Sequence, residues 1–226
     1  MSEYLKSNVS EVLNLTESSS VRLIAVTKTV PVDIINEAIS YGITEIGENK
    51  VQELLSKYDN LNKENLKIHL IGRLQTNKVK YIIDKVDLIH SVDSYKLAST
   101  INKCALSINK VQDVLIQINI SEEESKGGIL LNDAEAFIKE VSHLNNIRIR
   151  GLMCIPAPEL NYGDNAKYFE ALKKKLVDIN SEKIDNINMD ILSMGMSADY
   201  ETAIKCGSTM VRVGTKIFGK RNYQEV

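Results

Sequence analysis

The sequence predicts an α/β chain folded as a (β/α)8 barrel, and three observations carry that prediction. Short apolar runs alternate with amphipathic segments along nearly the whole chain, the pattern of βαβ units and a parallel sheet. The runs are close to continuous Ile, Val and Leu, as expected for strands covered on both faces. Eight such units fit within 226 residues that contain only three prolines and no low-complexity linker, so residues 1–226 are expected to form one domain. A doubly wound open sheet is the competing architecture.

Each unit has its own justification. A preliminary helix is expected over Glu3 to Leu15. Leu23 to Val26 reads as the first strand, and Val32 to Tyr41 as the helix after it. Pro31 stands near that helix's first turn, where a missing N–H does no harm, and Gly42 just past its end. Glu45 to Gly47 and Ile68 to Ile71 are strands two and three, with helices running to about Tyr58 and over Asn77 to Asp84. Leu88 to Val92 is followed by a helix over Tyr95 to Ser107, and Val111 to Ile120 by one over Asn132 to Leu144. Ile147 to Ile155, Ile191 to Ser193 and Met210 to Val213 complete the strands, with helices over Asn165 to Asn180 and near Asp199 to Cys206. The polar stretch Ser121 to Gly128 reads as a loop at the top of the barrel.

Bulk properties exclude several classes. A formal net charge of -2 lacks the basic excess of a nucleic-acid binder. No apolar stretch is long enough to span a bilayer, and the N-terminus lacks the order of a signal peptide. Cys104, Cys154 and Cys206 are widely spaced and form no metal or disulfide pattern, which fits a reduced cytoplasmic protein. His69, His90 and His143 do not share metal-ligand spacing, and the first two sit within strands as packed, hydrogen-bonded histidines.

Active sites of such barrels lie at the C-terminal ends of the strands. That rule selects Lys28 after strand one, Glu48 and Asn49 after strand two, Gly72 and Arg73 after strand three, Asn119 near the end of strand five, Met153 on strand six, Ser193 to Ser197 after strand seven and Arg212 to Thr215 on strand eight. A lysine amine held out of water attacks an aldehyde readily, because desolvation disfavours its charged form. The turns Gly195-Met196-Ser197 and Gly214-Thr215 offer backbone N–H groups to an anion, on the two strands whose loops most often bind phosphate in barrels. Amine and turns together describe a pocket for a phosphorylated aldehyde, with pyridoxal 5′-phosphate (PLP) the leading candidate. Arg212 is a charged residue in a core-like strand and needs a partner, either a ligand atom or a structural salt bridge.

The ordered set Ala25-Val26-Thr27-Lys28-Thr29, Gly47-Glu48-Asn49-Lys50-Val51-Gln52-Glu53, His69 to Lys78, Gly151-Leu152-Met153, Leu192 to Asp199 and Val211 to Gly219 resembles the pyridoxal phosphate homeostasis proteins (the YggS/PROSC family) over nearly the whole chain. The resemblance implies the barrel of fold-type III PLP enzymes, the kind seen in the N-terminal domain of alanine racemase. It implies PLP held as a Schiff base on Lys28, and a phosphate held by Ser193, by Gly195, Met196 and Ser197, and by Gly214 and Thr215. It also implies that Arg212 faces the pyridine nitrogen, while Asn49 and Met153 line the ring pocket. Two departures are small: Ile46 stands where the family usually has an aromatic residue, and Ser125-Lys126-Gly127-Gly128 varies the usual loop.

An arginine at the ring nitrogen keeps its own proton and leaves the ring a weaker electron sink. Racemases of this kind add a second domain, and the chain ends at Val226, so a barrel without that domain is expected. The reading that follows is a cytoplasmic carrier that regulates PLP without efficient catalysis, a monomer whose partners are PLP and apo PLP-dependent enzymes, with no nucleic acid, membrane or metal. Two alternatives stand beside it. One is a weak PLP-dependent amino-acid racemase with a Tyr or Cys of the barrel as base. The other is a sugar-phosphate barrel enzyme with Lys28 as its Schiff-base lysine.

Overall fold

A computed structural model describes residues 2–123, 126–158 and 163–219. Glu124 and Ser125, within the expected loop after strand five, lie outside the described residues. The elements follow in the order α1 (Ser2–Ser18), β1 (Arg22–Val26), α2 (Val32–Ser40), β2 (Glu45–Glu48), α3 (Val51–Tyr58) and β3 (Lys67–Leu70). A 3-10 helix (Thr76–Tyr81), β4 (Leu88–Val92), α4 (Tyr95–Leu106), β5 (Gln112–Asn119), β6 (Ile129–Leu130) and α5 (Ala134–Val141) come next. The chain continues through β7 (Ile147–Cys154), α6 (Ala166–Ser181), β8 (Ile187–Ser193), α7 (Tyr200–Lys205), β9 (Met210–Val213) and α8 (Thr215–Phe218).

The strands run in parallel in the order β4-β3-β2-β1-β9-β8-β7-β5, and β4 pairs with β5 to close an eight-stranded barrel. The two-residue β6 pairs with β5 at Ile118 and Asn119, beyond the last β4 pairing at Ile116. Three details depart from the sequence reading. Residues expected to form a helix over Asn77 to Asp84 make a 3-10 turn ending at Tyr81. The β-branched run Val79, Ile82, Ile83 and Val86 buries its side chains there but has poor α-helix propensity. Strand β6 and the one-turn α8 were not expected. No helix among the described residues is long and apolar enough to cross a membrane.

Alternation along each strand separates two cores. Side chains pointing outward pack under the helices, as Ala25, Ile46, Leu70, Ile89, Ile116, Leu152, Leu192 and Val211 do. The barrel interior holds a separate apolar cluster of Ile24, Leu88, Leu115, Met153, Ile191 and Met210. Fully burying a side chain of this size contributes about 1.5–3 kcal/mol. The interior is not apolar throughout. Inward positions on β2, β3, β4, β8 and β9 carry Glu45, His69, His90, Ser193 and Arg212, all buried. α4 starts where the Ser94 side chain accepts from Leu97 N–H, and α1 is tied to α8 by Asn8, which donates to the Ile217 carbonyl at 3.0 Å.

Candidate functional site

Strand β1 delivers Lys28 to the barrel mouth, and the backbone on either side of it is clamped. Thr27 is buried and its hydroxyl donates to Glu48 Oε1 at 2.7 Å. Lys57, in the last turn of α3, spends its ammonium on three acceptors: the Thr27 carbonyl at 2.9 Å, Glu48 Oε1 at 2.8 Å and Glu53 Oε1 at 2.7 Å. Glu53 also receives the Thr29 N–H. Thr29 itself sits in the left-handed region at φ 63°. Lys28 is half-buried, and among the described residues its Nζ makes no hydrogen bond or ion pair.

Arg212 forms the floor. It is 3% exposed; its Nη1 donates to Ser193 Oγ at 2.5 Å and its Nη2 to the Cys154 carbonyl at 2.8 Å. No carboxylate pairs with it among the described residues, so the salt-bridge alternative does not hold. Burial pulls the guanidinium below its usual pKa, with Cys154 and Asp199 acting in the opposite sense. A buried cation answered only by neutral acceptors is costly, and is the feature expected of a site that waits for a ligand acceptor. Beneath it, Ser193 Oγ is 3.1 Å from His90 Nδ1.

The turns after β8 and β9 meet at Ser197. Gly195 is at φ 92°, and a Cβ there would stand 2.6 Å from Ala203 Cβ, so only glycine lets β8 turn directly into α7. The Met196 N–H donates to Asp199 Oδ1 at 2.7 Å, which fixes the turn. Ser197 Oγ accepts from the N–H groups of Gly214 at 3.1 Å and Lys216 at 3.4 Å, at the start of α8. An oxygen thus already occupies donors that suit a phosphate oxygen.

A cavity of about 300 Å³ joins these parts. Lys28, Asn49, Met196, Ser197, Arg212, Gly214 and Thr215 line it, together with Val26, Ile71, Ile155 and Ala198. Asn49 is held close by Gly72, where a Cβ would lie 2.3 Å from the Asn49 carbonyl oxygen, and Asn49 Oδ1 is buried with no hydrogen-bond partner among the described residues. Three residues expected to hold the cofactor fall outside the lining. Met153 belongs to the interior apolar cluster below the cavity, because its position on β7 points it down the axis and not at the mouth. Ser193 is committed to Arg212 and His90, and Gly195 lies buried behind the turn whose shape it permits. Sequence reasoning placed Glu48 at the end of strand two without a partner, and it missed Lys57. The one signal for Lys57 was the Glu53/Lys57 spacing of four on a helix.

The chain matches the family described as alanine racemase, N-terminal domain, over residues 2–222. It is 45% identical over 202 residues to a pyridoxal phosphate homeostasis protein of Aquifex aeolicus, covering 89% of this chain and 88% of the relative. To the Escherichia coli K12 protein of the same name it is 41% identical over 208 residues, covering 91% and 88%. This chain belongs to the pyridoxal phosphate homeostasis protein family. Among solved structures, PipY of Synechococcus elongatus with PLP bound superposes with a TM-score of 0.84 at 33% identity, covering 93% of this chain and all of that one. Alanine racemase of Clostridium difficile shares the fold at 18% identity and a TM-score of 0.77, and this chain covers 58% of it. The family's members therefore share the barrel of alanine racemase, and in this chain Lys28, Arg212 and the Ser197 turn all face one cavity of that barrel.

Proposed function

We propose that this chain binds PLP at the barrel mouth on Lys28 and serves in PLP homeostasis as a carrier without efficient turnover. The observation that carries the reading is the pairing, in one cavity, of a lysine amine and a buried arginine that, among the described residues, have no carboxylate partner. The donor set fits the cofactor. Lys28 is the amine for its aldehyde, Ser197, Gly214 and Thr215 offer donors to its phosphate, and Arg212 presents a cation to the ring. Asn49, with its unsatisfied Oδ1, stands at the wall. The PLP-bound relative supports the assignment.

When bound, PLP supplies an electron sink for chemistry at an amino-acid carbon. The residues of this chain are poorly placed to exploit it. Arg212 keeps its proton and cannot protonate a ring nitrogen. Among the described residues lining the cavity, Lys28 and Arg212 are the sole strongly ionisable groups, so no second side chain stands ready as an acid or base. Cys154, a conceivable base for a racemase, is buried under the helices and its thiol is pushed up to about 12 by burial. Binding and release therefore fit the site better than turnover. The proposal extends to transfer of PLP to apo enzymes in the cytoplasm, by a monomer. Three free cysteines agree with a reducing compartment.

The test is a visible absorption spectrum of the protein with PLP, before and after borohydride, beside Lys28→Ala. Wild type should show a cofactor band that borohydride fixes on Lys28, and the variant should lose both. Steady racemisation that disappears in Lys28→Ala would replace the carrier reading with an enzyme. A protein that ignores PLP and binds sugar phosphates would replace both.

A further inference from the structure

The polar groups below Arg212 form one continuous line along the barrel. Arg22, at the start of β1, holds Glu45 with two hydrogen bonds of 2.8 Å. Glu45 Oε2 lies 3.2 Å from His69 Nε2, an electrostatic contact without the alignment of a hydrogen bond; His69 Nδ1 is hydrogen-bonded to His90 Nε2 at 3.1 Å, and His90 Nδ1 to Ser193 Oγ at 3.1 Å. Arg212 then donates to the same Ser193 Oγ. The line crosses the interior from the N-terminal end of β2 to the cavity floor. Both imidazoles are 0% exposed, so no water competes for their nitrogens.

With both imidazoles neutral, two directions are open to the line, and its Glu45 end chooses between them. Arginine is only a donor, so Ser193 Oγ accepts from it and still has its own hydrogen and a second lone pair. In the first direction that hydrogen goes to His90 Nδ1, the bare nitrogen. His90 then carries its proton on Nε2 and donates to His69 Nδ1. His69 in turn carries its proton on Nε2, facing the Glu45 carboxylate. The reverse direction would aim a bare His69 Nε2 lone pair at that carboxylate, which is repulsive. Protonating His90 would put a second buried cation beside Arg212. Burial above all, with the positive charge of Arg212 adding to it, holds its pKa well below the usual histidine value.

We infer that Glu45, His69, His90 and Ser193 are positioning residues for Arg212, a one-way relay of neutral imidazoles whose direction the Glu45 carboxylate sets from the far end of the barrel. Each bond polarises the next in the same sense, which makes Ser193 Oγ a better acceptor for the guanidinium than an isolated serine. The relay accounts for how a buried arginine with no carboxylate beside it among the described residues is held: an oriented line of neutral groups presents an acceptor to it. It rests on the geometry of the barrel and not on the cofactor reading, so its first test needs no ligand.

That test is long-range 1H–15N NMR of the imidazole rings in the ligand-free protein, which has only three histidines. His69 and His90 should both be neutral with the proton on Nε2. Glu45→Gln should disturb the tautomer of His69 and, through it, that of His90, while Glu45→Asp restores both. In protein loaded with PLP, Glu45→Gln and Ser193→Ala should displace the visible band and weaken retention about tenfold, the worth of one hydrogen bond to a charged group, with borohydride still labelling Lys28. A cationic ring, an Nδ1–H tautomer in wild type, or a Glu45→Gln effect confined to His69 would overturn the relay. The wild-type spectrum decides the tautomers even if Glu45→Gln does not fold.

Discussion

Strand β2 carries two buried glutamates three residues apart, and the barrel treats them oppositely. Glu45 points inward, and Glu48 points outward beneath α3. Burial pushes both carboxyls up. At Glu45 the contacts with His69 and with the bidentate Arg22 outweigh burial and bring the pKa to about 2. At Glu48 burial wins and the pKa is raised, despite Lys57 and Thr27. Lys57 divides one ammonium among Glu48, Glu53 and a carbonyl, Glu53 repels Glu48, and Glu48 Oε2 has no partner. An undivided arginine fork secures a buried charge, whereas a shared lysine does not. The two clusters serve the two cations of the cavity. Glu45 stands behind Arg212 through the relay, and Glu48 steadies the backbone that carries Lys28.

Removing each cation should separate the two cases most widely. Lys57→Met leaves Glu48, 1% exposed, without its cation and should cost about 3–5 kcal/mol at pH 7. Because the folded pKa of Glu48 is already above its unfolded value, its burden grows as pH rises through the folded pKa. The deficit should therefore shrink at pH 5. Arg22→Met removes a cation whose side chain is 36% exposed and leaves His69 on Glu45, so about 1–3 kcal/mol is expected. Urea unfolding of both variants at pH 7 and pH 5 checks the order. A Lys57→Met deficit that does not shrink on acidification would break the contrast.

This contrast marks what the sequence could reveal. Strand periodicity, Lys28, Arg212 and the two glycine turns are local signals, and the barrel follows from them. The relay is not local. The 3.1 Å contact of His69 with His90 depends on the β3–β4 stagger, in which His69 lies opposite Leu88, and no short stretch encodes that register. His69 and His90 read correctly as packed, hydrogen-bonded histidines, but their partners are set by neighbouring strands. Met153 was misplaced for a related reason. Its residue type suits a pocket wall, while its height along β7 is fixed by a register shift between Val114 and Leu115 in the β5 pairing. Lys57 was legible only in its spacing from Glu53, because its other two acceptors, the Thr27 carbonyl and Glu48, come from two other segments.

Acid should expose the inward half of the comparison next. His90 is depressed well below 6.5, so the unfolded chain binds a proton there that the folded barrel refuses. Its contribution is complete above pH 6.5 and is lost below it, at about 1.4 kcal/mol per pH unit for one proton. Glu45, depressed from 4.5 to about 2, adds a further loss as pH falls from 4.5 toward 2. Unfolding free energy measured from pH 8 to pH 5 should bend downward near 6.5, and His90→Gln should remove the bend. A flat profile in wild type would mean that the interior accepts the proton, and the relay's neutral state would lose its support.

The smallest expected effect lies at the outward end, beside Lys28. Thr29 is β-branched yet sits at φ 63°, a region that costs such a residue on the order of 1 kcal/mol. Its N–H on Glu53 and its hydroxyl on the Lys28 carbonyl at 2.6 Å hold it there. Glycine adopts that backbone freely but loses more entropy on folding. The net gain for Thr29→Gly should be about 0.5 kcal/mol, a rise in Tm of about 1–2 °C for a chain of this size. The same change gives the backbone at Lys28 more freedom, so PLP should be retained less tightly even as the fold becomes more stable. Opposite movement of the two readouts, one by thermal unfolding and one by PLP release, is what a strained strand end kept for ligand capture predicts. If stability and retention rise together, the strain at Thr29 does nothing for Lys28, and the outward cluster around Glu48 is scaffold alone.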